Sequence, residues 1–135
     1  MNGIDTNVLL RLVLEDDVDQ AERVSRLIAE QTSADRIFIN HIVLAEFIWV
    51  VSRHLKSNRV VIAELIGQLL ADTKFEVADQ ARVESALNSY RTSKADFADC
   101  LIAELNAAAG CETTYTFDQS ADSLDTFSIV PLEQS

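Results

Sequence analysis

Two carboxylates stand near the start of one apolar helix, and they are the first residues whose types and spacing suggest chemistry. Apolar residues recur at helical spacing over residues 97–108. Asp96 and Asp99 are three residues apart, so their side chains share a face of this helix near its positive end. Ser93 and Asp96 resemble a capping box, which explains Asp96 without any chemistry. The pattern places Asp99 beyond the first turn, where capping explains nothing, and Asp99 is therefore the stronger functional candidate.

A single acid interrupts the most apolar helix that the sequence predicts. The segment over residues 41–55 is apolar almost all round, and Glu46 is its only acid. An unpaired buried carboxylate is strongly unfavourable, so we expect a metal, a cation or a proton to neutralise Glu46. A buried salt bridge to Arg11 or Arg53 is the alternative explanation.

Short β-type runs alternate with helical patterns, which predicts a helix-rich α/β domain with a mostly parallel sheet covered on both faces. Asp5 and Asp118 each follow a strand-like run, while Asp96 and Asp99 lie at a helix start. The strand-to-helix turns of a parallel sheet collect at the carboxyl edge of the strands, where ligands bind. We therefore expect these four acids to gather. The predicted helix caps are Thr6 or Asn7, Asp16 or Asp17, Asn40, Asn58 and Asp79.

Gathered carboxylates repel one another and take up protons unless a cation neutralises them. Mg²⁺ and Mn²⁺ prefer carboxylate and water oxygens, and the sequence has no cysteine and histidine cluster that would suit zinc. A metal held by carboxylates can activate water for attack on a phosphodiester and can stabilise the charge that develops. The sequence lacks a glycine-rich phosphate loop and a Gly-x-Ser-x-Gly nucleophile turn. These features favour phosphodiester hydrolysis with magnesium or manganese as the cofactor.

Length and composition fit one globular domain in the cytoplasm. The 135 residues are enough to bury a core without disulfides, and 48% of them are hydrophobic. We expect no signal peptide, because the N-terminus lacks a basic n-region followed by a long apolar region. We expect no membrane span, because no apolar run is long enough for a bilayer. Cys100 and Cys111 are interpreted as small core residues in a reducing compartment.

Four short segments, taken in order, point to a family. They are residues 3–11, Glu46 in its apolar helix, residues 96–103 and residues 116–118. With these segments the chain resembles the PIN-domain family of ribonucleases, and most closely the toxin subunit of VapBC-type toxin–antitoxin pairs. By this resemblance, the family's acidic quartet around Mg²⁺ or Mn²⁺ corresponds to Asp5, Glu46, Asp99 and Asp118. Polar positions beside the quartet correspond to Thr6, Asn7 and Thr116, and a frequent extra acid corresponds to Asp96.

The resemblance implies a three-layer α/β/α fold with four to five short strands, formed as a single domain over residues 1–135. It also implies metal-dependent cleavage of RNA, a homodimer, and inhibition by a cognate antitoxin protein. The net charge of −11 opposes general RNA binding, so the basic residues Arg11, Arg91 and Lys94 are the expected RNA contacts. Two alternatives stay open: a different phosphodiesterase or DNA nuclease with the same acids, or a non-catalytic PIN-like module that binds a partner.

Overall fold

The computed structural model describes residues 1–14, 17–56 and 58–131. The chain divides into two compact units, one up to Gln80 and the other from Ala81 onward. Within the described ranges there are six α-helices, five strands and one short 3-10 helix. The single domain expected from the chain length stays a prediction.

The first unit is built on a three-stranded parallel sheet. Its elements in chain order are β1 (Asn2–Gly3), α1 (Thr6–Leu10), α2 (Val18–Thr32), β2 (Ile37–Ile39), α3 (His41–His54), α4 (Arg59–Ala71) and β3 (Phe75–Val77). The strand order is β1-β2-β3, with Asn2 opposite Ile37 and Ile39 opposite Val77. The first and last residues of β2 and β3 are buried. The carboxyl end of β1 leads into α1, and that of β2 leads into α3. Helix α3 packs against both α1 and α4.

Side-chain caps start four helices of this unit. Asp5, Asp17, Asn40 and Asn58 each accept a hydrogen bond from the backbone N–H three residues later, at 3.0, 3.0, 2.8 and 3.3 Å. The caps expected at Asn40 and Asn58 are confirmed. The cap expected at Thr6 or Asn7 is wrong, because the carboxylate of Asp5 already satisfies the start of α1. Asp16, one of two expected caps for α2, lies outside the described residues.

The second unit combines two helices with two parallel strands. Its elements are α5 (Gln80–Thr92), which starts at the last residue of the first unit, α6 (Phe97–Ala108), β4 (Thr114–Thr116), the 3-10 helix (Ala121–Ser123) and β5 (Phe127–Ile129). Thr114 of β4 lies opposite Phe127 of β5. Gly110, which closes the turn after α6, has a φ of 99°, a conformation that glycine adopts without a steric penalty.

The α/β class and the parallel pairing of the strands are confirmed, and hydrogen bonds join the five strands as a group of three and a group of two. Helix α5 begins one residue after the expected Asp79, whose φ of 43° is a left-handed conformation that Asp tolerates. Cys100 is buried as expected, but Cys111 is exposed because it follows the Gly110 turn. No helix within the described part of the chain is long and apolar enough to cross a membrane.

Candidate active site

Three aspartates come together in the second unit. One carboxylate oxygen from each of Asp96, Asp99 and Asp118 lies within 4.8 Å of the other two. Asp96 and Asp118 are exposed, whereas Asp99 is half-buried. Carboxylate oxygens at this separation are the hard ligands that divalent cations such as Mg²⁺ and Mn²⁺ prefer. The fold therefore gathers three of the acids that the sequence singled out.

The start of α6 positions two of these aspartates. Asp96 is the N-cap residue in an extended conformation, and its side chain makes no capping hydrogen bond. Asp99 lies in the first turn of α6, not beyond it as expected, because the helix begins at Phe97. The hydroxyl of Ser93, the expected cap, accepts a hydrogen bond from the Ala95 N–H at 3.3 Å instead. The capping-box interpretation of Asp96 is therefore wrong. Asp96 is the N-cap residue, and its carboxylate belongs to the aspartate cluster instead.

The turn after β4 holds the third aspartate. The backbone N–H of Asp118 donates to Oγ1 of Thr116 at 3.0 Å, and Oδ1 of Asp118 accepts from the N–H of Ser120 at 2.8 Å. Each bond spans two residues, as in Asx turns and their Ser/Thr equivalents. Thr116, expected beside the site, thus orients the backbone of Asp118. Ser120, which the sequence placed in the turn after Asp118 without giving it a role in the site, orients the carboxylate. Its position two residues after an Asp is the signal for this role.

The arrangement raises the pKa of Asp99 above its ordinary value. Partial burial is the largest cause, because it removes water from the ionised carboxylate, and the negative charges of Asp118 and Asp96 act in the same direction. A proton or a cation among the three oxygens relieves both effects. The negative charges of the cluster therefore favour binding of a cation.

The first unit carries Asp5 and Glu46. Asp5 follows β1, and its Oδ1 caps α1 by accepting from the Val8 N–H at 3.0 Å. Glu46 lies in the second turn of α3, and its Oε1 accepts a hydrogen bond from Oγ1 of Thr6 at 3.0 Å. Thr6 is the neighbour of Asp5 in the chain, so this bond ties the start of α1 to the Glu46 side chain. Thr6 therefore stands beside a candidate acid, and its place in the site stays a prediction.

Glu46 is exposed, which corrects the expectation of a buried carboxylate. Two apolar residues that made α3 look fully buried, Ile42 and Trp49, are 71% and 60% exposed on the same side of the helix. Arg53, considered as a salt-bridge partner, lies over the indole of Trp49 with its guanidinium carbon 4.6 Å from the ring centroid. We call this side, formed by Ile42, Glu46, Trp49 and Arg53, the outer face of α3. Sequence reasoning missed it, although the spacing of 4, 3 and 4 residues between these positions marks one helical stripe.

The remaining candidates lie at the surface of their own units. Asn7 and Arg11, together with Asp5, line a groove of about 480 Å³ formed by residues of α1 and α2. Arg91, in the last turn of α5, and Lys94, just before α6, are exposed. Their contacts with RNA stay predictions.

Comparison with known proteins assigns the chain to a protein family. The PIN domain family matches residues 4–126, and the chain belongs to this family. The resemblance drawn from the four sequence segments is thereby confirmed.

The chain is also similar to a particular protein, the VapC ribonuclease of Aquifex aeolicus (strain VF5). The two are 24% identical over 136 residues, covering 100% of each chain. No solved structure matches the chain.

Proposed function

We propose that this PIN-domain protein is a metal-dependent endoribonuclease and the toxin of a toxin–antitoxin pair. The observation that carries the proposal is the cluster of Asp96, Asp99 and Asp118 in a chain of this family. Similarity over the full length to a protein named as a ribonuclease supports RNA as the substrate.

The aspartate cluster fits Mg²⁺ or Mn²⁺, because it offers only oxygen ligands and up to three negative charges. The raised pKa of Asp99 supports this assignment, since it reflects the burial and repulsion that a cation offsets. A bound cation of this kind supplies an activated water and stabilises charge on the phosphodiester.

Some of these side chains are proposed to bind the metal, and others to orient the carboxylates that bind it. Asp99 and Asp118 are proposed as the principal metal ligands of the second unit, with Asp96 as a further one. Thr116 and Ser120 keep the Asp118 carboxylate in one orientation through the two local hydrogen bonds. Asp5 and Glu46 are assigned to the same metal-dependent reaction, as metal ligands, because they match the family's acidic positions.

The test is cleavage of labelled RNA and of DNA of the same sequence, with Mg²⁺, with Mn²⁺ and with EDTA. We expect metal-dependent cleavage of RNA that Asp99→Asn and Asp118→Asn reduce by roughly 100-fold or more, since losing even an outer partner of a metal ligand costs roughly 10- to 100-fold. Asp125→Asn, an exposed acid of the 3-10 turn region outside the cluster, is the matched control. Equal cleavage of DNA would indicate a different nuclease, and no cleavage of either would indicate a non-catalytic partner-binding module.

An antitoxin protein is the proposed physiological inhibitor, acting by insertion of a basic side chain among the acids. The planar guanidinium of arginine binds carboxylates with two parallel hydrogen bonds, and the net charge of −11 attracts a basic peptide. Apolar Val24 and the exposed Leu27 line the groove that contains Asp5, and Arg11 and Arg23 line it as well. We therefore propose that this groove receives an apolar part of the antitoxin rather than its basic side chain. Leu12, just after α1, and Val18, at the start of α2, line a second groove of about 690 Å³.

Co-purification with the product of an adjacent small gene tests the partner. Alanine substitution of the arginines in its tail should restore RNA cleavage while the complex persists. Inhibition that survives these substitutions would mean that the antitoxin blocks RNA access elsewhere. The family resemblance also leads us to propose a homodimer and a cytoplasmic location, and sedimentation of the free protein tests the first of these.

A further inference from the structure

Exposed apolar side chains of the second unit occur on the same two segments that carry the aspartate cluster. Within the described residues of this unit, the exposed large hydrophobic side chains are Ile102, Tyr115 and Phe117, at 44%, 66% and 81%. Ile102 belongs to α6, Tyr115 to β4, and Phe117 to the turn that follows β4. Single exposed hydrophobic residues are ordinary at a protein surface, but their restriction to the segments of one candidate site indicates a ligand with apolar faces.

Phe117 is fixed next to one of the aspartates. It directly precedes Asp118, so the two Cα atoms are about 3.8 Å apart. Two local hydrogen bonds hold the turn that contains Asp118 and orient its carboxylate. Ile102 follows Asp99 by three residues, which places both side chains on one face of α6. A ligand bound at the aspartate cluster therefore has the ring of Phe117 close by.

The charge of the cluster determines how a strand of RNA can be held there. Its three carboxylates carry up to three negative charges, which repel a phosphodiester until a cation binds. An aromatic ring, in contrast, stacks on a base without needing any charge. Among the described residues, neither another aromatic ring nor a guanidinium lies on the ring of Phe117. Its face is therefore open to a base.

We propose that Phe117 is a substrate-binding residue, whose ring stacks on an RNA base next to the phosphodiester held at the aspartate cluster. The proposal rests on the ribonuclease activity proposed above and adds the side chain that places the strand. Tyr115 lies two residues earlier, the spacing at which strand residues share a face, and it offers a ring to a further base. Stacking of this kind tolerates any base, because every base presents a π face.

Removal of the ring and removal of the base should have the same effect if the two stack on each other. The substrate is an RNA that the parent cleaves at one mapped bond, and a companion series carries one abasic nucleotide at successive positions on either side. With intact RNA and Mg²⁺, Phe117→Leu should lower kcat/KM by roughly 5- to 150-fold, since one stacked base is worth roughly 1–3 kcal/mol. At one abasic position the parent should lose as much, and Phe117→Leu should lose little more. Such a non-additive pair identifies the contact.

Two further variants control for the loss of an exposed side chain. Phe117→Tyr keeps the ring and should retain most of the activity. Val60→Ala removes a side chain of α4 that is 69% exposed, and it should cleave as the parent does. Because Phe117 itself is 81% exposed, Phe117→Leu should melt at the temperature of the parent.

Binding without turnover gives a second measurement. The anisotropy of labelled RNA is followed in the Glu46→Gln chain, in which cleavage should be lost, with Mn²⁺ and with EDTA. Adding Phe117→Leu should weaken binding in Mn²⁺ by roughly 5- to 150-fold, and EDTA should weaken the binding of both chains.

Equal kcat/KM for the parent and Phe117→Leu, or losses that multiply at every abasic position, would overturn the proposal while leaving the ribonuclease intact. A Phe117→Leu chain that cleaves as the parent does but fails to bind the antitoxin, or to form the parent's oligomer, would assign the ring to a protein partner instead. A parent that cleaves no RNA would refute the proposed function.

Discussion

Asp99 lies in an environment unlike that of an ordinary surface acid. Burial and two neighbouring carboxylates raise its pKa above the usual 3.8, so the folded protein binds this proton more tightly than the unfolded chain does. Its ionisation therefore weakens folding as the pH rises from 3.8 through the folded-state pKa.

Asp99→Asn should consequently melt at a higher temperature than the parent in EDTA at neutral pH. The amide cannot ionise, and the advantage should shrink as the pH falls toward 3.8, where the parent carboxylate is protonated as well. Thermal melts at both pH values check this, with Asp125→Asn as the control. A variant no more stable than the parent at neutral pH would show that neither burial nor the neighbouring carboxylates disfavour the ionised Asp99 in the free protein.

Glu46→Gln should change stability by no more than about 0.5 kcal/mol, because Glu46 is exposed and the amide oxygen can still accept from Thr6. RNA cleavage should nevertheless be lost. Urea unfolding and a cleavage assay on the same preparation separate the two effects. A decrease of roughly 3–5 kcal/mol in the free energy of unfolding would instead support the alternative that Glu46 forms a buried salt bridge.

Helix α3 depends on its amino-terminal cap for the placement of Glu46. Oδ1 of Asn40 accepts from the Val43 N–H at 2.8 Å. Asn40→Ala should destabilise the protein by about 1 kcal/mol, whereas Asn40→Asp should preserve the cap. Asn58→Ala, at a cap with a longer bond of 3.3 Å, should destabilise it less. Denaturant unfolding measures all three, and an Asn40→Ala variant as stable as the parent would mean that water replaces the cap without loss.

Local chemistry explains which elements were predictable. The caps Asn40 and Asn58 are recognisable because Asn directly before a predicted helix is a preferred N-cap residue. The gathering of Asp96, Asp99 and Asp118 follows from the alternation of strands and helices. The exposure of Glu46 does not follow, because large apolar residues, Ile42 and Trp49, stand beside it on the outer face as they do on the buried side of α3. Hydrophobic periodicity cannot tell which side of such a helix faces water.

At the scale of the whole molecule, metal binding should appear as added stability. A cation that binds only the folded state raises the free energy of unfolding by about 2.7 kcal/mol at a hundredfold excess over its Kd. We expect Mn²⁺ to raise the melting temperature of the parent, EDTA to reverse the rise, and Asp99→Asn to lose most of it. Asp125→Asn should keep the full shift. An undiminished shift in Asp99→Asn would place the metal somewhere other than the aspartate cluster.

Asp5 caps α1 and is also proposed as a metal ligand, and this combination has a genetic consequence. Its Oδ1 caps α1, and an amide would keep that oxygen, so Asp5→Asn should leave the fold and the groove beside α1 and α2 intact while ending catalysis. Such a chain should still bind the proposed antitoxin through this groove, with one acid fewer for the inserted basic side chain. A silenced duplicate of this gene would therefore compete with the active copy for the inhibitor and would release toxin in the same cell. A single change from a carboxylate to an amide would therefore make an inactive copy of the protein activate the intact one.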